Sequence, residues 1–346
     1  MITRLESKLA DFAHRKHAVA VSNGTAALHL IVRALGLGSG DAVITTPFSF
    51  VASANSLLFE RCEPVFVDIE DGSFNLDPAL VRERLLSDST LRQKAKAILV
   101  VDVFGHPADL PSFESIAEEF GLLLIEDSAE ALGSVVDGRP AGSFGEASIF
   151  AFYPNKQVTT GEGGAVLTDD DEIAALCRSM RNQGRGVGGE WFDHVRLGYN
   201  YRLSELHSAL GVAQFERINE ILMKRERVAG WYAAGLEAVP IFAKPQAAQG
   251  YKVAWFVYVV RLLPGTDRGL VMGALNEAGV PVRPYFPAIH LMPHYSEPYG
   301  YSEGDFPITE AVASSTLALP FHANMTEVEV EMVCDRLTEA IAGAMG

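Results

Sequence analysis

Between Ala18 and Leu167, short apolar runs alternate with helix-forming segments, and this alternation restricts the possible folds more than any other feature of the chain. The runs are Ala18–Val21, Ala42–Thr45, Pro64–Val67, Ala97–Val101, Leu122–Ile125 and Ala165–Thr168. Helices are predicted from Thr25 to Leu35, from Ala52 to Glu60, around Pro78 to Ser87, and from Pro111 to Phe120. Unbroken apolar runs joined by helical crossovers predict a largely parallel sheet covered on both faces. After Tyr201 the texture changes. One long helix is expected from Ser204 to about Leu236, with Leu206, Leu210, Val212, Phe215, Ile218, Ile221 and Leu222 as its apolar stripe. A strand at Val253–Val260 and helices at Arg268–Ala278 and Thr326–Ala342 follow. The expected architecture is therefore α/β, with a large domain over residues 1–230 and a smaller C-terminal α+β domain over 231–346.

Charge and cysteine usage exclude several classes of function. The net charge of -16 argues against nucleic acid or an anionic membrane as a main partner. A small anionic ligand stays open, because backbone amides alone can build an anion site. Cys62, Cys177 and Cys334 are odd in number, far apart and form no CxxC pair, so neither a disulfide framework nor a metal site is expected. A reducing cytosol fits this usage. The first residues, Met1 to Lys8, begin an amphipathic helix and not a signal peptide. No apolar run approaches the ~20 residues that span a bilayer.

Five segments carry candidate chemistry. In Phe150-Ala151-Phe152-Tyr153-Pro154-Asn155-Lys156 a strand runs into a polar loop that ends in Gly161-Glu162-Gly163-Gly164. A lysine amine there can form a Schiff base with an aldehyde, although most lysines are simply solvated. In Ser22-Asn23-Gly24-Thr25 a strand turns into a helix whose free amides suit a phosphate, and the same wording is also a plain N-cap signal. The strand ending Glu126-Asp127-Ser128-Ala129 delivers a carboxylate where open α/β sheets bind ligands. Asp127 could hold a pyridinium N–H, or could cap the following turn, while the small Ala129 leaves room for a flat ring. Phe48 and Phe50 are both candidates for stacking on such a ring, and either could be a core residue. In Asn200-Tyr201-Arg202, Arg202 could grip a carboxylate or phosphate, and Ser204 reads as a helix N-cap.

Taken in order along the chain, these segments resemble the DegT/DnrJ/StrS family of sugar aminotransferases, which are fold-type-I enzymes using pyridoxal 5′-phosphate (PLP). Further matches are Pro64-Val65-Phe66-Val67-Asp68, Gly105-His106-Pro107-Ala108-Asp109, Pro287-Ala288-Ile289-His290, and Phe306-Pro307 with Leu319-Pro320. The resemblance implies that Lys156 is the Schiff-base lysine, Asp127 the partner of the pyridine nitrogen, and Phe50 the stacking aromatic. It also implies that Gly24 and Thr25 bind the phosphate, and that Asn200 reaches the phosphate in a neighbouring subunit, which makes the protein a homodimer with shared active sites. Three departures stand out. Ala151 occupies a position where the family often has a phosphate-binding serine. Glu130 stands where glutamine or histidine often approaches the cofactor phenol oxygen, so it must be protonated there or bond to another donor. The N-terminal arm usual in the family looks short, which bears on the dimer.

The expected reaction is transfer of an amino group from an amino acid, by family analogy L-glutamate, to a nucleotide-linked keto-sugar. The wording around Lys156 resembles enzymes that aminate 4-keto-6-deoxy sugars, in polysaccharide or secondary-metabolite biosynthesis. Arg202, Tyr285 and His290 are the expected substrate contacts, with the sugar pocket drawn from Gly184–Asp193 and Arg283–His294; Tyr285 and His290 also suit a packed role. Gly184 to Gly189 reads as a mobile glycine-rich loop. The competing readings are a PLP-dependent sugar dehydratase, a cyclitol aminotransferase, and a non-catalytic regulator that keeps the fold.

Overall fold

The computed structural model describes residues 1–186, 193–243 and 249–344. Residues 187–192 of the expected glycine-rich pocket loop therefore lie outside the described residues. The main sheet contains β1 (His17–Val21), β2 (Ala42–Thr45), β3 (Glu63–Phe66), β4 (Ala95–Val101) and β5 (Leu123–Asp127). A small hairpin follows, β6 (Val135–Val136) and β7 (Arg139–Pro140), and the chain then returns to the main sheet as β8 (Ala147–Ala151) and β9 (Gly164–Thr168). The spatial order is β1-β9-β8-β5-β4-β2-β3. The pairs β2–β3, β2–β4, β4–β5 and β5–β8 are parallel, whereas β9 runs antiparallel to both β8 and β1. The sheet is thus mostly parallel, as the buried apolar runs predict.

Alternation along each strand divides the core between two faces. Val43, Leu99, Ile125 and Ile149 pack with Leu28, Ile31 and Val32 of the helix Gly24–Ala34. Their neighbours Ile44, Ile98, Val100 and Leu124 pack on the other face with Phe113 and Ile116 of the helix Leu110–Phe120 and with Val81 and Leu85 of Pro78–Ser87. A second sheet, built from β10 (Ile241–Ala243), β12 (Tyr258–Leu262) and β13 (Thr316–Leu319), is antiparallel. The remaining strand, β11 (Tyr251–Lys252), joins the β6–β7 hairpin. The second sheet's core includes Tyr258, Val260, Leu317, Val271 and Leu337.

Two expectations change. The long helix Ser204–Leu236 is two helices, Glu205–Phe215 and Ile218–Gly235. The break at Glu216–Arg217 turns both Phe215 and Ile218 into the core, at 6% and 7% exposure. Leu206 and Leu210 leave the expected apolar stripe and face outward, at 83% and 43% exposure. The helix Ile218–Gly235 then links two cores: Ile218 and Leu222 pack with the N-terminal helix Ile2–Phe12, and Val228, Ala229 and Tyr232 pack under the second sheet. The strand expected at Val253–Val260 begins only at Tyr258. Side chains hold the preceding backbone groups instead: Ser134 Oγ accepts from the Ala254 N–H, and Gln157 and Arg225 donate to the carbonyls of Ala254, Trp255 and Phe256. Backbone groups satisfied in this way need no strand partner.

The helix Pro307–Ser315 has proline in its first turn and no capping side chain of its own at Phe306. Asp68, just beyond β3, supplies the cap across the fold. Its carboxylate accepts from the Ile308 and Thr309 N–H groups at 3.0 and 2.9 Å and from Thr309 Oγ1 at 2.7 Å. Asp68→Ala leaves these donors in a nearly dry site, and we expect a loss of about 3 kcal/mol in unfolding free energy by urea titration. Asp68→Asn keeps an acceptor and loses less.

Candidate active site

The site forms where β5, β8 and the N-terminus of the helix Gly24–Ala34 meet. Along β5, Glu126 and Asp127 point to opposite faces because strand side chains alternate. Glu126 is fully buried and accepts from the Gly142 and Phe144 N–H groups at 2.7 and 2.9 Å, fixing the turn before β8. Asp127, 3% exposed, accepts from Ser53 Oγ at 2.7 Å and from the Ala129 N–H at 3.1 Å. Burial pushes the Asp127 carboxyl above its usual range, and the Ser53 hydrogen bond opposes that shift. Ser53 had no signal in the sequence beyond its position in the helix Ala52–Phe59, which begins two residues after Phe50.

Lys156 follows β8 in the loop before β9. Its side chain is 12% exposed, its Nζ donates to Glu130 Oε1 at 3.3 Å, and the amine lies 4.0 Å from the centroid of the Phe256 ring. The other oxygen of Glu130 accepts from the Phe104 N–H at 2.9 Å. Glu130 therefore bonds to two protein donors. Tyr285 stacks on Phe286 with ring centroids 4.8 Å apart. Burial raises the Tyr285 hydroxyl, the nearby Glu130 charge adds to that rise, and a hydrogen bond from Asn155 opposes it. Phe50 is 59% exposed with its ring 6.4 Å from that of Phe286, whereas Phe48 is fully buried in the core.

The phosphate-type turn is shaped by two close approaches. Asn23 caps the helix by accepting from the Ala26 N–H at 2.8 Å, which leaves the Gly24 and Thr25 amides in the first turn, ahead of the intrahelical ladder. A Cβ on Gly24 would meet the Ala151 Cβ at 2.9 Å, and one on Gly164 would meet the Asn23 carbonyl carbon at 2.6 Å. The glycines thus let the turn lie directly on the end of β8 and β9. Ala151 closes one wall of this cradle without a hydroxyl.

The structure brings together Lys156, Glu130, Asp127, Ala129, Tyr285 and Phe50, with the Gly24–Thr25 turn beside Ala151. Asn200 and Arg202 are exposed on a segment that pairs with the end of β1, through Val21 opposite Arg202 and the Ser22 N–H bonded to the Tyr201 carbonyl. Arg202 donates to Asn182 Oδ1 at 2.8 Å. His290, expected at the substrate, has a different environment: its side chain is fully enclosed, bonded to Glu310 at 3.1 Å and edge-on to Phe306 at 4.7 Å. Sequence reasoning missed Phe256 and Arg225, whose proximity to Lys156 depends on segments remote in the chain, and Gln157, which follows Lys156 directly but whose partners Glu130 and Ala254 are remote. Among the described residues no cluster suits a metal ion, and no helix is long and apolar enough to cross a membrane.

The donor set suits pyridoxal 5′-phosphate: a sheltered amine for its aldehyde, a buried carboxyl for its ring nitrogen, and first-turn helix amides at Gly24 and Thr25 for its phosphate.

Comparison with known proteins gives a consistent picture. The profile of the DegT/DnrJ/EryC1/StrS aminotransferase family matches residues 1–338. GDP-perosamine synthase of Caulobacter vibrioides is 38% identical over 98% of this chain and 90% of that protein. UDP-2-acetamido-2-deoxy-3-oxo-D-glucuronate aminotransferase of Pseudomonas aeruginosa is 31% identical over 97% and 90%. Among solved structures, DesV from S. venezuelae in complex with a ketimine intermediate superposes with a TM-score of 0.90, at 30% identity, covering 98% of this chain and 88% of that one.

Asp127 gives a signed pH prediction for the cofactor-free protein. Its folded pKa is raised, so it supports the fold fully below the unfolded value of about 4 and loses that support as pH rises through the folded pKa. Asp127→Asn removes the penalty. In thermal melts without cofactor, we expect the variant to gain on the wild type as pH rises above about 4, then hold a constant lead.

Proposed function

The chain belongs to the DegT/DnrJ/EryC1/StrS aminotransferase family, and from that premise we propose that it transfers an amino group from L-glutamate to a nucleotide-linked 4-keto-6-deoxy sugar, with PLP bound at Lys156. The observation that carries this reading is the convergence of Lys156, Glu130 and Asp127 at the ends of β5 and β8. The similarity to GDP-perosamine synthase supports the sugar class. The 3-oxo sugar substrate in the name of the Pseudomonas relative marks the main competing acceptor.

PLP, when bound, supplies an electron sink for the carbon that loses its proton. The chain's own residues do the rest. Asp127 holds the proton on the pyridine nitrogen, with Ser53 fixing its orientation. The Gly24 and Thr25 amides would hold the phosphate, and Phe50 would lie against the ring. The Lys156 amine would serve as the base and acid that moves the proton of the donor α-carbon. Arg202 and Tyr285 are assigned to substrate, and His290 acts through its packing against Phe306 and Glu310. In this reading residues 1–230 form the cofactor-bearing domain and 231–346 the smaller one.

The proposal includes a homodimer in which Asn200 serves the partner's site. Exposed Leu206 and Leu210 lie one helical turn apart and so share one face, and Leu197, close in sequence to Asn200, is 66% exposed. Leu206→Glu combined with Leu210→Glu is expected to raise the dimer dissociation constant at least tenfold in sedimentation equilibrium, with the monomer still folded by circular dichroism.

Mixing the PLP-loaded protein with L-glutamate alone is expected to bleach the visible absorbance of the lysine-bound cofactor and release one equivalent of 2-oxoglutarate. An unchanged spectrum would reject the glutamate-dependent reading and favour the dehydratase or regulator. Turnover compared among 4-keto-6-deoxy sugar nucleotides, a 3-keto sugar nucleotide and a keto-cyclitol then separates the acceptors.

A further inference from the structure

The helix Ile218–Gly235 carries an arginine that stability alone does not explain. Arg225 is 6% exposed, and burial pulls its guanidinium down to about 10. Its hydrogen bonds go to three backbone carbonyls and, among the described residues, to no carboxylate. A buried cation with no counter-ion is costly, and here that cost is offset by donation to three carbonyls that would otherwise lack this donor.

The three carbonyls indicate what the cation does. Nη1 donates to Trp255 O at 3.2 Å and to Phe256 O at 3.1 Å, and Nη2 donates to Lys156 O at 3.1 Å. The Phe256 ring is the one that lies beneath the Lys156 amine. One planar guanidinium therefore fixes both the main chain of the lysine and the main chain of the residue that supports its amine. Gln157 repeats the device on the other side. Its Nε2 donates to the carbonyls of Glu130 and Ala254, tying the residue that accepts from Lys156 Nζ to the same 254–256 segment. Arg225 reaches these residues from a separate helix, 69 positions after Lys156 in sequence.

We propose that Arg225 is a positioning residue for Lys156, clamping the lysine loop to the Phe256 segment so that the amine meets the cofactor aldehyde in one orientation. The proposal rests on the reading of Lys156 as the residue that bonds the cofactor. A planar fork that reaches two segments at once is a task that arginine performs and lysine performs only in part.

The test compares Arg225→Met and Arg225→Lys with the wild type, each prepared free of cofactor. The first readout is the rate of covalent capture of PLP, followed by visible absorbance. The second is the dissociation constant for pyridoxamine 5′-phosphate, which lacks the aldehyde and does not need the Lys156 amine. We expect Arg225→Met to fold with a lower melting temperature, because three carbonyls lose their donor, to slow capture at least tenfold at a temperature where it is folded, and to bind pyridoxamine 5′-phosphate within about threefold of the wild type. Arg225→Lys should recover part of the rate. An unchanged capture rate, or a loss of pyridoxamine phosphate affinity equal to the loss of rate, overturns the proposal, because the second result marks a merely structural role. Phe256→Leu leaves the Arg225 hydrogen bonds in place and removes only the ring. It should slow capture whether or not Arg225→Met folds, and an unchanged rate there also overturns the proposal. Lys156→Ala is the separate control: covalent capture by that variant defeats the reading of Lys156 and leaves the geometry of Arg225 untouched.

Discussion

The parallel pairing of β5 with β8 is the constraint on which the site depends. Asp127 lies opposite Ile149 in that register, so the last residue of β5 and the loop beyond Ala151 emerge from the same edge of the sheet. Neighbouring strands lie about 4.8 Å apart, which brings a carboxylate from one and an amine from the next within reach of a single small molecule. The antiparallel return of β9 brings Gly164 opposite both Ala151 and Val21, and so adds the Asn23–Gly24 turn to the same edge. A one-residue slip of β5 would turn Asp127 to the face that Glu126 occupies, and a slip of β9 would carry the turn away from Ala151.

Around that edge, the fold satisfies backbone groups with side chains from distant segments. Asp68 caps a helix that begins more than two hundred residues later, and Arg225 with Gln157 holds the carbonyls of Ala254 to Phe256. These contacts connect the main sheet to the elements of the second core. They also explain why the apolar run from Val253 to Phe256 is not a strand: its hydrogen bonds are taken by Ser134, Gln157 and Arg225 before a neighbouring strand can supply them. A buried network of this kind is stable only when nearly every member finds a partner, and here it is arranged around the lysine.

Much of this was legible from residue order. The alternating apolar runs gave six of the seven main-sheet strands to within about two residues, with β8 read only as a strand through Phe150-Ala151, because a strand covered on both faces must be apolar throughout. Lys156, Asp127 and the Gly24–Thr25 turn were legible as candidate chemistry because each lies at or just beyond the end of an apolar strand, whereas Glu130 was legible only through the family resemblance. The helix break at Glu216–Arg217 was not legible. It contains neither proline nor glycine, and it exists because Phe215 and Ile218 both need the same core. The outward turn of Leu206 and Leu210 was hidden for the same reason, since a helical stripe does not say which neighbour it faces.

The sequence by itself determined which strands form, which strand ends carry ionisable groups, and hence the family and its class of chemistry; these depend on local patterning and on residue order. Only the tertiary structure decided that Glu130 bonds to Lys156 and to Phe104, that Ser53 orients Asp127, that His290 is enclosed by Phe306 and Glu310, and that Arg225 supports the lysine from a distant helix. The physical reason is range. Periodicity and turn chemistry act over a few residues, whereas the partner of a buried polar group is set by which segments the packed core brings within about 3 Å of it.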